Sequence, residues 1–546
     1  MREELVSIDI GSTYTKGVLF LRTEEGLRLV RRVITPTTQE DLSRGFGKVY
    51  TELTGLPYGE AREEEPRKGE PANTGSSGRR QGEDKASPRV RFSSSAKGGL
   101  RIAAIGLVPD LTLQIARLAA WSAGGKIVAD SAYKLREDRL SEILRASPDI
   151  LLFTGGTDGG NEETVLWNAK KLAASPFRGT ILYAGNASVR GEVLRILEGK
   201  RVVVAPNVMP RVGEIRIEET RAAIQRIFLD TIVEGKGLQQ VREFCGTDPV
   251  PTPAAVFDLV EAIGTHQEGW DRFCVIDLGG ATTDVYSVGE SFWGEEGVVL
   301  KGLREPWVKR TVEGDLGIRV SAAALWDTVK PYFPVLIRLV WGGSEGNVTS
   351  SSLPLEIHRY VEKVTQDTSY VPTSEREKRI DRFLVLAAVA IATLRHGGTL
   401  EETYTPTGRI FLQSGKDLRP INALIGSGGY LSLFDLGEPI RELFHLVAQG
   451  GLEAGSKGSG KIEMGSMGPG RAEAGRVEGG RGTIGESGSL EGSSHGSARI
   501  HLLPKNPSYF RDASYLFPLL GNYAKEYPEE VSRLAIETLV PESGDR

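Results

Sequence analysis

The chain has 546 residues, with 67 Lys and Arg against 72 Asp and Glu, a net charge of −5 that excludes the basic surface of a general nucleic-acid binder. At ~150 residues per domain the length implies about three or four domains. Two cysteines, Cys245 and Cys274, exclude a disulfide framework or a multi-cysteine metal site. The charged residues 1–5 lack the apolar core of a signal peptide, and no apolar run reaches the ~20 residues of a membrane span. A soluble, cytoplasmic protein without membrane contact is the expectation.

The first elements are a strand at 5–10, a tight turn, and further strands at 17–21 and 27–34, with Asp9 at the end of the first. Residues 59–97 turn charged and rich in Gly, Ser and Pro, which reads as a flexible linker or lid. Between 98 and 206, strands at 100–106, 126–129, 150–153, 180–184 and 202–205 alternate with helices at 111–122, 137–145, 162–174 and 189–197. That alternation predicts a parallel, doubly wound α/β unit inserted into another domain. A helical stretch at 210–238 precedes a second strand–turn–strand at 273–287. Helices follow at 320–329 and 375–394, the latter buried, then strand and loop at 409–412 and 423–430. Sixteen of the 67 glycines fall within 450–496, a flexible spacer ahead of an ordered C-terminal piece.

Two segments about 270 residues apart share one design, Ile8-Asp-Ile-Gly-Ser-Thr-Tyr-Thr-Lys16 and Ile276-Asp-Leu-Gly-Gly-Ala-Thr-Thr-Asp284. In each, glycine permits a tight turn whose amides form an anion-binding concavity. The hydroxyls of Ser12, Thr13, Thr282 and Thr283 can donate to phosphate. Asp9 and Asp277 can hold a hydrated Mg2+, which favours one or two carboxylates plus waters and phosphates. Two such hairpins face to face would grip a nucleotide triphosphate. Either alone reads as easily as an ordinary glycine hairpin.

The pair resembles the two phosphate motifs of the actin/heat-shock-chaperone/sugar-kinase ATPase superfamily, and Asn422-Ala-Leu-Ile-Gly-Ser-Gly-Gly429 resembles its adenosine motif. Within it the chain is similar to the MutL/GlmL family, accessory proteins of adenosylcobalamin-dependent glutamate mutase and related mutases. That resemblance rests on Asp9 to Lys16, Ser94-Ser-Ala-Lys-Gly-Gly-Leu100, Thr154-Gly-Gly-Thr-Asp-Gly-Gly-Asn161 and Asn207-Val-Met-Pro210. It continues through the segment 275–288, Lys309-Arg-Thr-Val-Glu-Gly-Asp-Leu-Gly317 and Arg395-His-Gly-Gly398. The resemblance implies a two-lobed, actin-like ATPase with ribonuclease H-like lobes and an inserted Rossmann-like domain. The divisions are 1–58, the linker 59–97, the insert 98–206, the lobes resumed at 207–449, the spacer 450–496, and 497–546. It implies ATP and Mg2+ as cofactors, with Asp9 and Asp277 positioning the metal and water. Gly11, Ser12, Thr13, Thr15, Lys16, Gly279, Gly280, Thr282 and Thr283 would contact the phosphates, and Glu313, Gly426, Ser427, Gly428 and Gly429 the nucleoside. For Lys16 a surface position is equally open, and for Asp315 a helix-capping role is the preferred reading.

The insert resembles the cobalamin-binding domain of the mutases, but all six histidines (266, 358, 396, 445, 495 and 501) lie outside it, so it has none to ligate cobalt. It either docks where the mutase's cobalamin subunit does or is a generic doubly wound insert. The implied function is an ATP-dependent, chaperone-like reactivating factor whose partners are mutase subunits. A small-molecule kinase of the same fold and a non-catalytic, actin-like scaffold are the alternatives.

Overall fold

The computed structural model describes residues 2–11, 13–38, 40–59, 88–95, 100–233, 237–292, 294–341, 353–406, 408–448 and 499–542. The 450–496 spacer and Ser12 lie outside the described residues. The architecture is α/β with four sheets. The first has strands Glu3–Ile10, Tyr14–Thr23, Gly26–Pro36, Arg89–Ser94 and Val250–Pro251 in the spatial order 3-2-1-4-5. Strands 1 to 3 run antiparallel, while 4 and 5 join parallel to 1. The second sheet repeats that order and those directions with Phe273–Leu278, Thr283–Val288, Val308–Glu313, Ala423–Ser427 and Ser508–Arg511, and adds a sixth strand, Val540–Pro541, antiparallel beside the last. In both, the strand carrying the hairpin aspartate is central and nearly all buried, as a strand covered on two faces must be.

One expectation is corrected here. The linker read at 59–97 contains the strand Arg89–Ser94, paired with Glu3–Ile10 from Leu5↔Arg89 to Ile10↔Ser94. Its alternation is clear once seen: Val90 and Phe92 are buried, and Arg91 Nε meets Glu526 at 2.7 Å. Six residues beside a charged, low-complexity run were too few to register. The rest of that stretch, 60–87 and 96–97, lies outside the described residues.

The third sheet is all parallel, with strands Leu100–Ile105, Gly125–Ser131, Ile150–Phe153, Thr180–Tyr183 and Val202–Val204 in the order 2-1-3-4-5. Both faces are covered. Leu151, Phe153, Ile181 and Tyr183 meet Ile143, Leu172 and Val193 of the helices Glu137–Arg145, Glu163–Ala174 and Arg190–Ile196. The opposite face shares one apolar cluster with Val6, Ile8 and Phe46 of the first sheet's layer, so the two sheets are packed as one body. A fourth, mixed sheet of four strands includes Gly398–Thr405 and Gly408–Ser414.

The helix Glu375–His396 runs beneath the second sheet, its apolar face among the buried residues of the core. Among the described residues no helix is long and apolar enough to cross a membrane. At its end His396 is fully buried, bonded through Nδ1 to the Thr311 hydroxyl and through Nε2 to the Ser287 hydroxyl, both at 2.8 Å. Burial, with Lys309 and Lys416 close by, holds its pKa well below the usual 6.5. The unfolded chain therefore takes up a proton below pH ~6.5 that the native state refuses, so this residue removes stability as pH falls. The slope is about 1.4 kcal/mol per pH unit. Asp277, with a raised pKa, works in the opposite sense, so the comparison must be differential. His396→Gln is expected to flatten the fall in thermal midpoint between pH 7.5 and 5.5 relative to the parent; an unchanged slope would refute the assignment.

Candidate functional site

The two hairpins are built alike. Gly11 N donates to Tyr14 O at 3.1 Å and Gly279 N to Thr282 O at 2.9 Å, closing equivalent turns. Asp9 is 1% exposed, and its Oδ1 accepts from Thr252 Oγ1 at 2.6 Å and Ser93 Oγ at 2.9 Å. Burial pushes its carboxyl up, while Lys16 and the two hydroxyls pull it back. Lys16 stands directly across from Asp9 in the strand pair, its Nζ 3.2 Å above the Tyr515 ring centroid. It is an interior cation rather than a surface one. Burial lowers its pKa; Asp9, Asp277 and Asp512 sustain its charge.

On the second hairpin Asp277 is the cross-strand partner of Asp284. Like charges so placed repel. Burial first, then Asp284, pushes the Asp277 pKa to about 7, with Lys16 opposing. The strand Ala423–Ser427 lies alongside, Ser427 opposite Asp277, and the Ser427 hydroxyl donates to Asp512 at 3.1 Å. Gly428 follows at φ +89°, and a Cβ there would lie 2.2 Å from Leu278 O and 2.8 Å from Asp277 Oδ1. Only glycine lets this loop close over the hairpin. Asp9, Asp277, Asp512 and Lys16 thus converge between the two sheets.

Not every expected contact is available. Thr283 is fully buried and its hydroxyl donates to Leu316 O at 2.7 Å; the Thr15 hydroxyl pairs with Thr37 at 3.0 Å. Those hydroxyls are taken up within the fold, because both residues point into the strand layers. Thr13 is exposed at the first turn and Thr282, half-buried, bonds to Asp284 at 3.2 Å. Glu313 lies across from Thr283, and its carboxylate shares Arg395 with Asp315, at 2.7 and 3.0 Å. Gly426 abuts the Tyr509 hydroxyl, and a Cβ at Gly429 meets nothing within 4 Å.

Sequence reasoning missed Asp512, Tyr515, Ser93 and Thr252. Asp512 follows the short strand Ser508–Arg511 as Asp9 and Asp277 end theirs, but four residues gave no readable pattern. Beside Gly280, Arg319 grips Asp381 with two bonds of 2.8 and 3.1 Å. Near them Arg382 Nε and Ser432 Oγ are buried without a partner among the described residues. Buried polar atoms are rarely left so.

Two sheets of like order, each offering a glycine hairpin and a buried aspartate to a common centre, define the class as an α/β protein with a duplicated core. The family model described as MutL protein matches residues 5–446. Protein MutL of Clostridium tetanomorphum is 32% identical over 538 residues, covering 98% of each chain. The chain belongs to the MutL family. Among solved structures, a diol dehydratase-reactivating factor in nucleotide-free form is 12% identical with a TM-score of 0.28, covering 81% of this chain and 94% of that one. A Ppx/GppA family member of Aquifex aeolicus is 10% identical with a TM-score of 0.21, covering 77% and 95%.

Proposed function

We propose that the protein is an ATP-dependent, chaperone-like reactivating factor for an adenosylcobalamin-dependent mutase, glutamate mutase or a related aminomutase, acting in the cytoplasm. The convergence of Asp9, Asp277, Asp512 and Lys16 between two matching hairpins is the observation that carries the nucleotide part, and the family resemblance carries the client. In this reading residues 2–58, 88–95, 207–448 and 499–542 contribute to two actin-like lobes, and the sheet within 100–206 is a Rossmann-like insert that meets the mutase.

The donor set fits Mg2+. Among the described residues no cluster of three or more ligating side chains occurs, but this ion needs only one or two carboxylates beside phosphate oxygens and water. A carboxyl raised to about 7 by burial and by neighbouring carboxylates, as in Asp277, is one whose ionised form a cation would stabilise. Asp277 and Asp9 would hold the ion, which would supply charge neutralisation for the terminal phosphates. Amides at the two turns would orient those phosphates, with Lys16 as a further cation. Positioning and electrostatics of this kind supply most of phosphoryl-transfer catalysis. The orphaned donors of Arg382 and Ser432 would receive the nucleoside, beside Gly428 and Gly429.

Gly428→Ala places a methyl against Leu278 O and the Asp277 carboxylate, at a φ that L-residues avoid. Affinity for ATP is expected to fall about tenfold or more by calorimetry; unchanged affinity would place the nucleotide elsewhere. The function itself is tested with inactivated glutamate mutase, the protein, Mg-ATP and fresh adenosylcobalamin. Recovery of turnover that requires ATP is expected, and recovery equal with and without the protein would overturn the reading.

A further inference from the structure

Arg310 has no role in the reading above, yet it is one of the most enclosed cations in the molecule, at 3% exposure. It sits on the strand Val308–Glu313, diagonal to Asp284 in the pairing with Thr283–Val288. Its Nε and Nη2 both donate to Asp284 Oδ1, at 2.9 and 2.5 Å. The remaining amino group points the other way. Arg310 Nη1 donates to Trp121 O and, at 3.3 Å, to Gly125 O. Trp121 lies in the last turn of the helix Gln114–Ser122, and Gly125 opens the strand Gly125–Ser131 of the third sheet. One planar guanidinium therefore joins the second hairpin to the N-terminal edge of the inserted sheet.

The neighbourhood reinforces that junction. Lys126 Nζ donates to Gly314 O at 3.3 Å, and Gln114 Nε2 to Glu305 at 3.0 Å. The loop after Gly314 rests on the hairpin itself, where a Cβ at Gly317 would meet Ala281 and Gly280 within 2.5 Å. By contrast, the chain enters the third sheet from a strand of the first sheet and returns to it at Val250–Pro251. The insert is tethered covalently to one half and hydrogen-bonded to the other.

We propose that Arg310 is a positioning residue that couples the state of the second hairpin to the seating of the 100–204 sheet, so that nucleotide at Asp277 and Asp284 alters how that sheet docks. This rests on the nucleotide reading of the site. Charge brought to the hairpin changes what Asp284 requires of Arg310, and a guanidinium cannot move toward one side without loosening its two carbonyl partners on the other. A lysine has a single head and cannot span both.

The test is hydrogen–deuterium exchange on the full chain, wild type and Arg310→Lys, without nucleotide and at saturating Mg-ATP, with binding followed by calorimetry in the same samples. In the wild type, ATP is expected to change exchange over 119–127 by about fivefold or more. In Arg310→Lys, which keeps a cation beside Asp284, that response is expected to vanish while the thermal midpoint confirms a folded protein. Arg310→Gln, if it folds, is expected to behave likewise. A wild-type response retained in Arg310→Lys, or no response in a wild type that demonstrably binds ATP, overturns the coupling and leaves the nucleotide reading standing. Absence of ATP binding to the wild type overturns both.

Discussion

Asp277→Ala is expected to reduce ATP turnover by about 100-fold or more, the scale on which single preorganised electrostatic groups contribute. The residue ends the central strand of the second sheet, faces Asp284, and touches the space that Gly428 must leave open. Two opposing effects are removed together. The buried repulsion disappears, so the thermal midpoint is expected to hold or rise, while the carboxylate that would position metal and water is lost. That combination separates a functional residue from a structural one. Asp277→Asn, which keeps the shape and removes the charge, is expected to match it in turnover. Phosphate release measured on both variants decides the matter; turnover within about twofold of wild type would remove Asp277 from the site.

Gly521→Ala carries the second large effect, and here stability is what changes. The helix Phe517–Gly521 crosses the helix Thr252–His266 so closely that a Cβ at 521 would lie 2.1 Å from Ala255 O and 2.5 Å from its carbonyl carbon. The obstacle is backbone, which cannot rotate away. Alanine is the better helix former by ~1 kcal/mol, so propensity alone predicts a gain. The steric term opposes it with about 1–3 kcal/mol or more of overpacking, and the net result is expected to be a lower thermal midpoint, by roughly 2–4 °C per kcal/mol. Gly191→Ala is the control, since a Cβ there meets nothing within 4 Å. Its midpoint is expected to hold or rise. A Gly521→Ala protein as stable as this control would refute the packing argument. Nucleotide binding is expected to weaken as well, because the next residue, Asn522, donates to the Ser7 and Ser93 hydroxyls behind Asp9 at 3.0 and 3.3 Å.

Local chemistry was legible in the sequence, and remote pairing was not. The hairpins at Asp9 and Asp277 and the alternation from 100 to 204 declare themselves within a dozen residues each, through turn glycines and a change of hydrophobic period. The strand Val308–Glu313 was hidden because two of its four buried positions are Lys309 and Arg310, residues that composition assigns to a surface. Both are compensated by groups on other elements or loops, Lys309 by the Glu305 carboxylate at 2.6 Å and the His396 carbonyl at 2.7 Å, and Arg310 by Asp284 on the neighbouring strand. Helix Thr252–His266 begins at Thr252, which serves Asp9 across more than two hundred residues, a relation that no window could reveal. Thr283 shows the converse. Its identity fitted phosphate binding, while its strand position had already committed the hydroxyl to Leu316.

The order in which the first sheet is assembled has a consequence for synthesis. Glu3–Ile10 is synthesised before its parallel neighbours Arg89–Ser94 and Val250–Pro251, and more than 500 residues before Asn522, which bonds Ser7. At about 5–20 residues per second, that final closure waits roughly half a minute to two minutes. Until Arg89–Ser94 follows, roughly 4–16 seconds behind at the same rate, the nascent three-stranded hairpin presents one bare, apolar strand edge, the kind of edge that recruits other chains. A protein proposed to tend another protein's active state therefore passes, during its own synthesis, through a stage with an open strand edge to protect.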